Sequence, residues 1–495
     1  MTQAVDHVAL LPGYLAAGTA VLVLLADLFV ARRAVTLAVA IGGALATAVV
    51  AIVVGAGGDR STFCLPDGCS YLADGRSALV AAVFGFLTVG VLGLSAPLLR
   101  AGVAPAGEYC FLLACSMTGG VVLGSAGDLI TLIVALETLT LPLYVLVGMR
   151  RQTVESATAA VTFFVVSVVA TAVSLLGAAL LYAVTGRLHL TSLAPALTGD
   201  VSLAGGDPVR ALDLPLTSAG IALLVVGLAF KVAAVPFHAW APPTYDGAPL
   251  PVAAYLSTAS KLGGVVAILA VVTIALPPAV TGPILAALAV LTMTVGNLVA
   301  LRQIRMTRLL AWSSVAQAGY ILAPLGALAL AEGRTGDAFS TAVTAAVAYT
   351  VFFVVLEIGA FAAVVALREP TADGGRLDSY RGAARRHRWV GAALALALIG
   401  LAGLPPGLAG LFAKVAVVRS LLTGSSGWLA VVVALNAVIG LAYYVRVAAL
   451  LYAPDPLDRP ARPVPWPVAG VLLAATAVAV AVGFAPQLVL DWASG

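Results

Sequence analysis

Apolar residues in this chain run in stretches of about twenty, separated by short polar punctuation, which is the length a helix needs to cross a ~30 Å hydrocarbon layer. Fourteen such stretches are predicted, at 8–31, 34–56, 77–99, 108–126, 128–148, 154–185, 215–238, 250–276, 278–301, 305–331, 338–367, 389–422, 427–453 and 465–491. Little chain remains between them, so there is no room for a soluble catalytic domain. The pattern predicts an all-α polytopic membrane protein with about 14 transmembrane helices.

Two of the stretches are interrupted in a matching way. The seventh reads LAFKVAAVPFHAW, with Pro236 five residues after Lys231. The twelfth reads LIGLAGLPPGLAGLFAKVAVV, with Gly403, Pro405, Pro406 and Gly407 ahead of Lys414. Proline removes a helical hydrogen bond and clashes with the preceding turn, so both helices should be discontinuous near mid-membrane. Broken backbone at that depth is tolerated only inside protein or beside a wet cavity. The breaks lie five helices apart, with the lysine on opposite sides, the order expected of two inverted five-helix repeats with an ion site between them. The implied units are an N-terminal three-helix segment (1–107), a first repeat of helices 4–8 (108–276), a second, inverted repeat of helices 9–13 (277–453) and a last helix (454–495).

Composition agrees: 62% of residues are hydrophobic and 10% charged, with a mean hydropathy of +1.09, against roughly 25% charged in soluble chains. With the N-terminus outside, the inner loops hold sixteen arginines and the outer loops five. That satisfies the positive-inside rule, places both termini on the outer face and supports an even helix count. The start MTQAVDHVAL holds no lysine or arginine and lacks the positive region of a cleavable leader, so the first stretch reads as a retained helix. Cys110 and Cys115 read as buried small residues, while Cys64 and Cys69 flank LPDG in an outer loop where a disulfide and two free thiols are both compatible with the sequence. No Cys/His spacing suits a metal or cluster.

Charge placement supplies the candidate chemistry. Lysine occurs only at Lys231, Lys261 and Lys414, each inside or at the rim of an apolar stretch, whereas the other 23 basic residues are arginine and mostly mark loops. Arginine keeps its charge in proteins, but a desolvated lysine can release its proton. Asp27, Glu137 and Glu357 are the candidate acids at membrane depth, and a charge there calls for a partner and a function. The economical arrangement pairs Glu137 with Lys231; a static pair that only fixes helix packing is the alternative. Burial disfavours a charged amine and a nearby carboxylate favours it, so moving an acid loads or unloads a lysine. A row of such lysines joined by water would form a lateral proton path. Ser257, Thr258, Ser260, Ser313, Ser314 and Gln317 are available to hold that water. His238, seven residues beyond Lys231, is placed to serve as an intake group or as an interfacial histidine without a role in transfer.

The stretches GLAFKVAAVPFHAWAPPTYDGAPLPVAAYLSTASKLG (227–263), GDLITLIVALETLTLPLYVL, RLLAWSSVAQAGY and GLAGLPPGLAGLFAKVAVV resemble, in order and spacing, the antiporter-like subunits of proton-pumping NADH:quinone oxidoreductase, respiratory complex I. The resemblance spans roughly 108–453. Lysine at 414, and a chain ending just after its fourteenth helix, resemble the N-type branch rather than the M- or L-type. The resemblance implies a subunit of a translocase with no redox chemistry of its own. Glu137 would pair with Lys231, Lys261 would act as the central relay, and Lys414 would lead to the exit. It also implies residence in a bacterial inner membrane and neighbouring antiporter-like and small membrane subunits as partners. The quinone, the NADH site, FMN and the iron–sulfur clusters would belong to the rest of the complex, with no cofactor, metal or nucleic acid on this chain. Two departures stand out. Gln317 occupies a position where many relatives carry histidine, so water must bridge Lys261 to Lys414. Glu357 replaces a neutral polar residue, as a compensating proton carrier or as the partner of Lys414.

Two other functions use the same features: a Mrp-type or stand-alone cation/proton antiporter, and a structural membrane-arm subunit whose charges only specify packing. The helix count and Lys414 favour the oxidoreductase subunit.

Overall fold

Helices long and apolar enough to cross a membrane number eleven among the described residues. The remaining predicted spans are the two broken ones and Met306–Gly326, whose Ser313, Ser314 and Gln317 lower its apolar character although nearly all of it is buried. Together these account for all fourteen stretches. The structure, a computed structural model, describes residues 5–150, 153–201, 208–455 and 461–494, so Arg151 and Arg459 of the inner-loop count lie outside the described residues.

Helices Leu11–Val30, Arg33–Ala56, Gly75–Arg100 and Ala106–Gly124 pack against one another. Strands Arg60–Leu65 and Gly68–Ala73 form a hairpin in which Cys64 faces Cys69, and the two are joined by a disulfide. Val154–Thr185 lies along Pro215–Lys231 and turns Val161, Val165, Val168 and Leu176 outward, an apolar face suited to lipid. Segment Leu250–Ala275 runs between the halves. It contacts Pro215–Lys231 on one side and the long helix Gly336–Leu367 on the other, and Gly336–Leu367 in turn packs on Arg388–Ala402 and Leu408–Thr423.

The seventh span stops at Lys231 and resumes as the short helix Ala241–Gly247; the twelfth is divided into Arg388–Ala402 and Leu408–Thr423. Both interruptions contain a cis X–Pro bond, Val235–Pro236 and Pro405–Pro406. Backbone groups freed at the first break find local partners. Ala234 N–H donates to the Ala229 carbonyl (2.9 Å), Val235 N–H to Thr292 Oγ1 (3.0 Å), and the Trp240 indole N–H to the Phe230 carbonyl (3.1 Å). A broken membrane helix survives on such substitutes.

The turn between the seventh and eighth spans is tied down by charge. Arg305 bonds Asp246 (2.8 Å) and Asp373 (2.7 Å), and Thr307 adds a hydroxyl to Asp246. Partial burial pushes Asp373 up, but the hydrogen bond and charge of Arg305, with Arg150 and Arg368 nearby, hold its carboxyl below the ordinary 3.8. The loop 368–388 therefore folds back on the protein, with Arg368 paired to Asp373, Arg386 to Asp455 and Glu369 to Arg462.

Candidate functional site

Lys231 is the last residue of helix Pro215–Lys231, where unpaired carbonyls concentrate the negative end of the helix dipole. Its ammonium uses all three donors: Glu137 Oε1 at 2.6 Å, Ser167 Oγ at 3.1 Å and Thr140 Oγ1 at 3.2 Å. Glu137 Oε1 also accepts from Thr171 Oγ1, and the Tyr144 hydroxyl donates to Ser167. The pair is asymmetric in exposure. Lys231 is 6% exposed, whereas the Glu137 side chain keeps 19%, on a helix whose Val134, Leu141 and Val145 face outward.

Lys261 lies one helix away. Gly264, a turn later, lets its segment approach the break so closely that an added Cβ would sit 2.9 Å from the Lys231 carbonyl carbon. The residues just before Lys261, Leu256–Ser260, form a π-helical turn, a distortion that re-aims the following side chains and recurs at functional sites. Lys261 Nζ donates to the backbone carbonyl of Ser314 at 2.7 Å and meets no carboxylate directly. No hydrogen bond links it to Lys231; an interval separates the two amines.

Lys414 repeats the electrostatic position of Lys231 from the other side of its break. It belongs to Leu408–Thr423, yet its Nζ reaches back to the last carbonyls of Arg388–Ala402, Ala402 at 2.5 Å and Leu401 at 3.2 Å. A cation thus caps a helix C-terminus, where it is favoured. The Tyr320 ring lies 5.1 Å beneath the ammonium. Gly403, at φ 81°, is required here, because the lysine stem occupies the space a side chain would take. Lys414 also lines a cavity of about 620 Å³, together with Gly403 and Leu404 of the break and Val415, Val418, Val433 and Leu441.

Between Lys261 and Lys414 runs a line of polar groups centred on Gln317. Ser313 Oγ bonds the Tyr444 hydroxyl (2.5 Å), and Gln317 Nε2 donates to that hydroxyl (3.0 Å) and to the Leu401 carbonyl (3.1 Å). Leu401 is the carbonyl that Lys414 also uses. Gln317 Oε1 accepts from Tyr349 at 2.5 Å. Glu357 is fully buried with neither oxygen directly hydrogen-bonded, and its electrostatic neighbours are Lys261, Tyr245 and Tyr444, rather than Lys414. His238 is half-buried beyond the break. Its ring lies 5.0 Å from that of Trp312 and its Nδ1 has no hydrogen bond. Ser257 and Thr258 turn back to the Ala254 carbonyl of their own helix.

Sequence reasoning did not single out Thr140, Ser167, Thr171, Tyr144, Tyr444 or Tyr349. Spacing held part of the signal: Thr140 follows Glu137 by three residues, and Ser167 and Thr171 are four apart, so each set shares a helix face. Among the described residues no group of His, Cys, Asp and Glu is arranged to hold a metal ion.

Comparison with known proteins gives the family. Residues 126–440 match the family described as NADH:quinone oxidoreductase/Mrp antiporter, transmembrane. The chain is 68% identical to NADH-quinone oxidoreductase subunit N of Salinispora tropica, over 100% of this chain and 99% of that protein. It is 42% identical to subunit N 2 of Streptomyces griseus, over 100% and 94%. Among solved structures it is similar to a chain of respiratory complex I from Thermus thermophilus, with a TM-score of 0.78 and 28% identity over 98% of this chain and 100% of the other. A chain of the Mrp complex from Dietzia sp. superposes with a TM-score of 0.82 at 21% identity over 98% and 96%, a likeness of fold alone.

Proposed function

Because the chain belongs to the NADH:quinone oxidoreductase/Mrp antiporter family of membrane subunits, we propose that it is the N-type, proton-translocating subunit of an NADH:quinone oxidoreductase. The observation that carries this reading is the repeated placement of a buried lysine at the C-terminal end of a broken helix. In the first half the lysine is bonded to an acid, and in the second it is bonded to backbone carbonyls alone. Between them Lys261 is held by a single carbonyl.

An ammonium held by a mobile carboxylate is a loaded state. When Glu137 withdraws toward Thr171, Lys231 keeps only two hydroxyls, and its proton passes by water toward Lys261. Beyond Lys261 the path runs past the Ser313–Tyr444 hydroxyl pair toward Lys414. His238 is the inner-side intake beside the first break. The chain's halves, 108–276 and 277–453, act as inverted repeats around Lys261. Redox energy enters from partner subunits that hold the NADH site, FMN, the iron–sulfur clusters and the quinone. The subunit resides in a bacterial inner membrane with both termini outside, which the arginine distribution supports.

The test uses the assembled oxidoreductase in proteoliposomes, with NADH oxidation and proton movement followed together. Lys231→Ala should leave assembly intact and lower the protons moved per NADH. An unchanged ratio would exclude a relay through this residue and return the pair to a packing role.

A further inference from the structure

Gln317 is fixed on every side that matters. Its amide nitrogen donates to Leu401 and Tyr444 while its oxygen accepts from Tyr349. A carboxamide does not titrate, and one held at both ends does not swing to relay a proton. Transfer from Lys261 to Lys414 therefore has to pass around it.

A cluster of unpartnered polar atoms lies beside it. Both oxygens of Glu357, the Tyr245 hydroxyl and Ser314 Oγ are each buried without a hydrogen-bond partner. The Tyr245 hydroxyl is turned toward Ser314 Oγ, though outside hydrogen-bond geometry, and Glu357 lies near it. Lys261, bonded only to the Ser314 carbonyl, has two further N–H donors directed at no protein acceptor. Buried polar groups in folded proteins are satisfied by protein or by ordered water, and a buried water takes two to four such partners. Orphaned acceptors and donors gathered around one amine describe a hydrated pocket. Helix Gly336–Leu367 supplies the acid, and it touches both Leu250–Tyr255 and Met306–Gly326, so Glu357 stands between the segments it has to join.

Resting on the relay reading above, we propose that Glu357 is a proton carrier in the second half of the path, exchanging with Lys261 through water held by Tyr245 and Ser314 and passing the proton to the Tyr444 side. In the exchange a neutral carboxyl loses its proton to water and water gives one to the neutral amine, leaving carboxylate and ammonium. The forward step runs the other way: an ammonium loaded from Lys231 gives its proton through water to the carboxylate, and the carboxyl so formed passes it on to Tyr444 and is left ionised. Tyr444 takes one proton as it releases its own, so it is unchanged on balance. This makes Lys261 the second acid-linked lysine of the chain, with water where Lys231 has direct contact.

Proton movement per NADH is measured in proteoliposomes for the oxidoreductase carrying Glu357→Gln, Glu357→Asp, Lys261→Ala and the double substitution Glu357→Gln with Gln317→His. E357Q is expected to lose as much proton movement as K261A, E357D to keep most of it, and the double variant to recover part, because imidazole restores a titratable group. Normal pumping by E357Q beside a defective K261A overturns this proposal and leaves the relay reading standing. Normal pumping by K261A removes both. If E357Q does not assemble, the redox-induced infrared difference spectrum decides. A carboxyl C=O band that moves in D2O and shifts in E357D supports the assignment, and its absence refutes it.

Discussion

Gly403→Ala tests the second break where the geometry is least forgiving. A Cβ built there lies 2.6 Å from Lys414 Cδ and 3.2 Å from both Cε and Nζ, whereas carbon atoms rest at about 3.5–4.0 Å. The backbone, at φ 81°, costs a non-glycine residue roughly 1–3 kcal/mol. The flexible party is the lysine, which must move by about 1 Å to regain ordinary contact. That displacement breaks or stretches its bonds to Ala402 (2.5 Å) and Leu401 (3.2 Å). A hydrogen bond to a charged group contributes roughly 1.5–3 kcal/mol, so a step through a correctly placed Lys414 should slow by roughly ten- to hundred-fold. The assay is proton movement per NADH in proteoliposomes, run beside thermal unfolding in detergent. Gly470→Ala is the control, because nothing lies within 4 Å of its added Cβ. G403A should pump poorly and melt somewhat earlier, and G470A should do neither. If G403A pumped normally while Lys414→Ala did not, the placement argument for Gly403 would be wrong.

Three further outcomes are expected. Glu137→Ala leaves a buried ammonium with two hydroxyls, costing about 3–5 kcal/mol; its thermal midpoint should fall, and adding Lys231→Met should restore most of the loss by removing the stranded charge. Asp373 has a depressed pKa in the folded protein, so its contribution is present above the unfolded value and is lost as pH falls below the ordinary 3.8. Wild-type thermal stability should therefore drop through that acidic window more steeply than that of Asp373→Asn, and parallel curves would count against the Arg305 clamp. Replacing Cys64 and Cys69 by serine opens a short loop worth about 2 kcal/mol of chain entropy. Limited proteolysis of the hairpin should quicken while pumping stays at the wild-type ratio.

Much of the architecture was legible in one dimension. A spanning helix is dictated by its own apolar length, and a break by its own proline and glycine, so the fourteen spans and both interruptions follow from local chemistry. Glu137 and Lys231 suggested one another because two opposite charges in an apolar layer each lack any cheaper partner. Other features needed the packed molecule. Lys414 rests on the carbonyls of Leu401 and Ala402, and a backbone acceptor is the same atom in every residue, so no letter of the sequence marks it. The sequence offered Lys414 as a partner for Glu357, whereas the fold sets it beside Lys261. Which one it meets depends on the rotation of helix Gly336–Leu367, where one residue turns a side chain by about 100°, and on the path of Leu250–Ala275 between the halves. The hydroxyls of Ser167 and Thr171 resemble many other small polar residues along the chain until tertiary contact brings them to Lys231 and Glu137. Hydropathy is a property of segments and survives in sequence, while the choice of partner is a property of relative helix placement and appears only after packing.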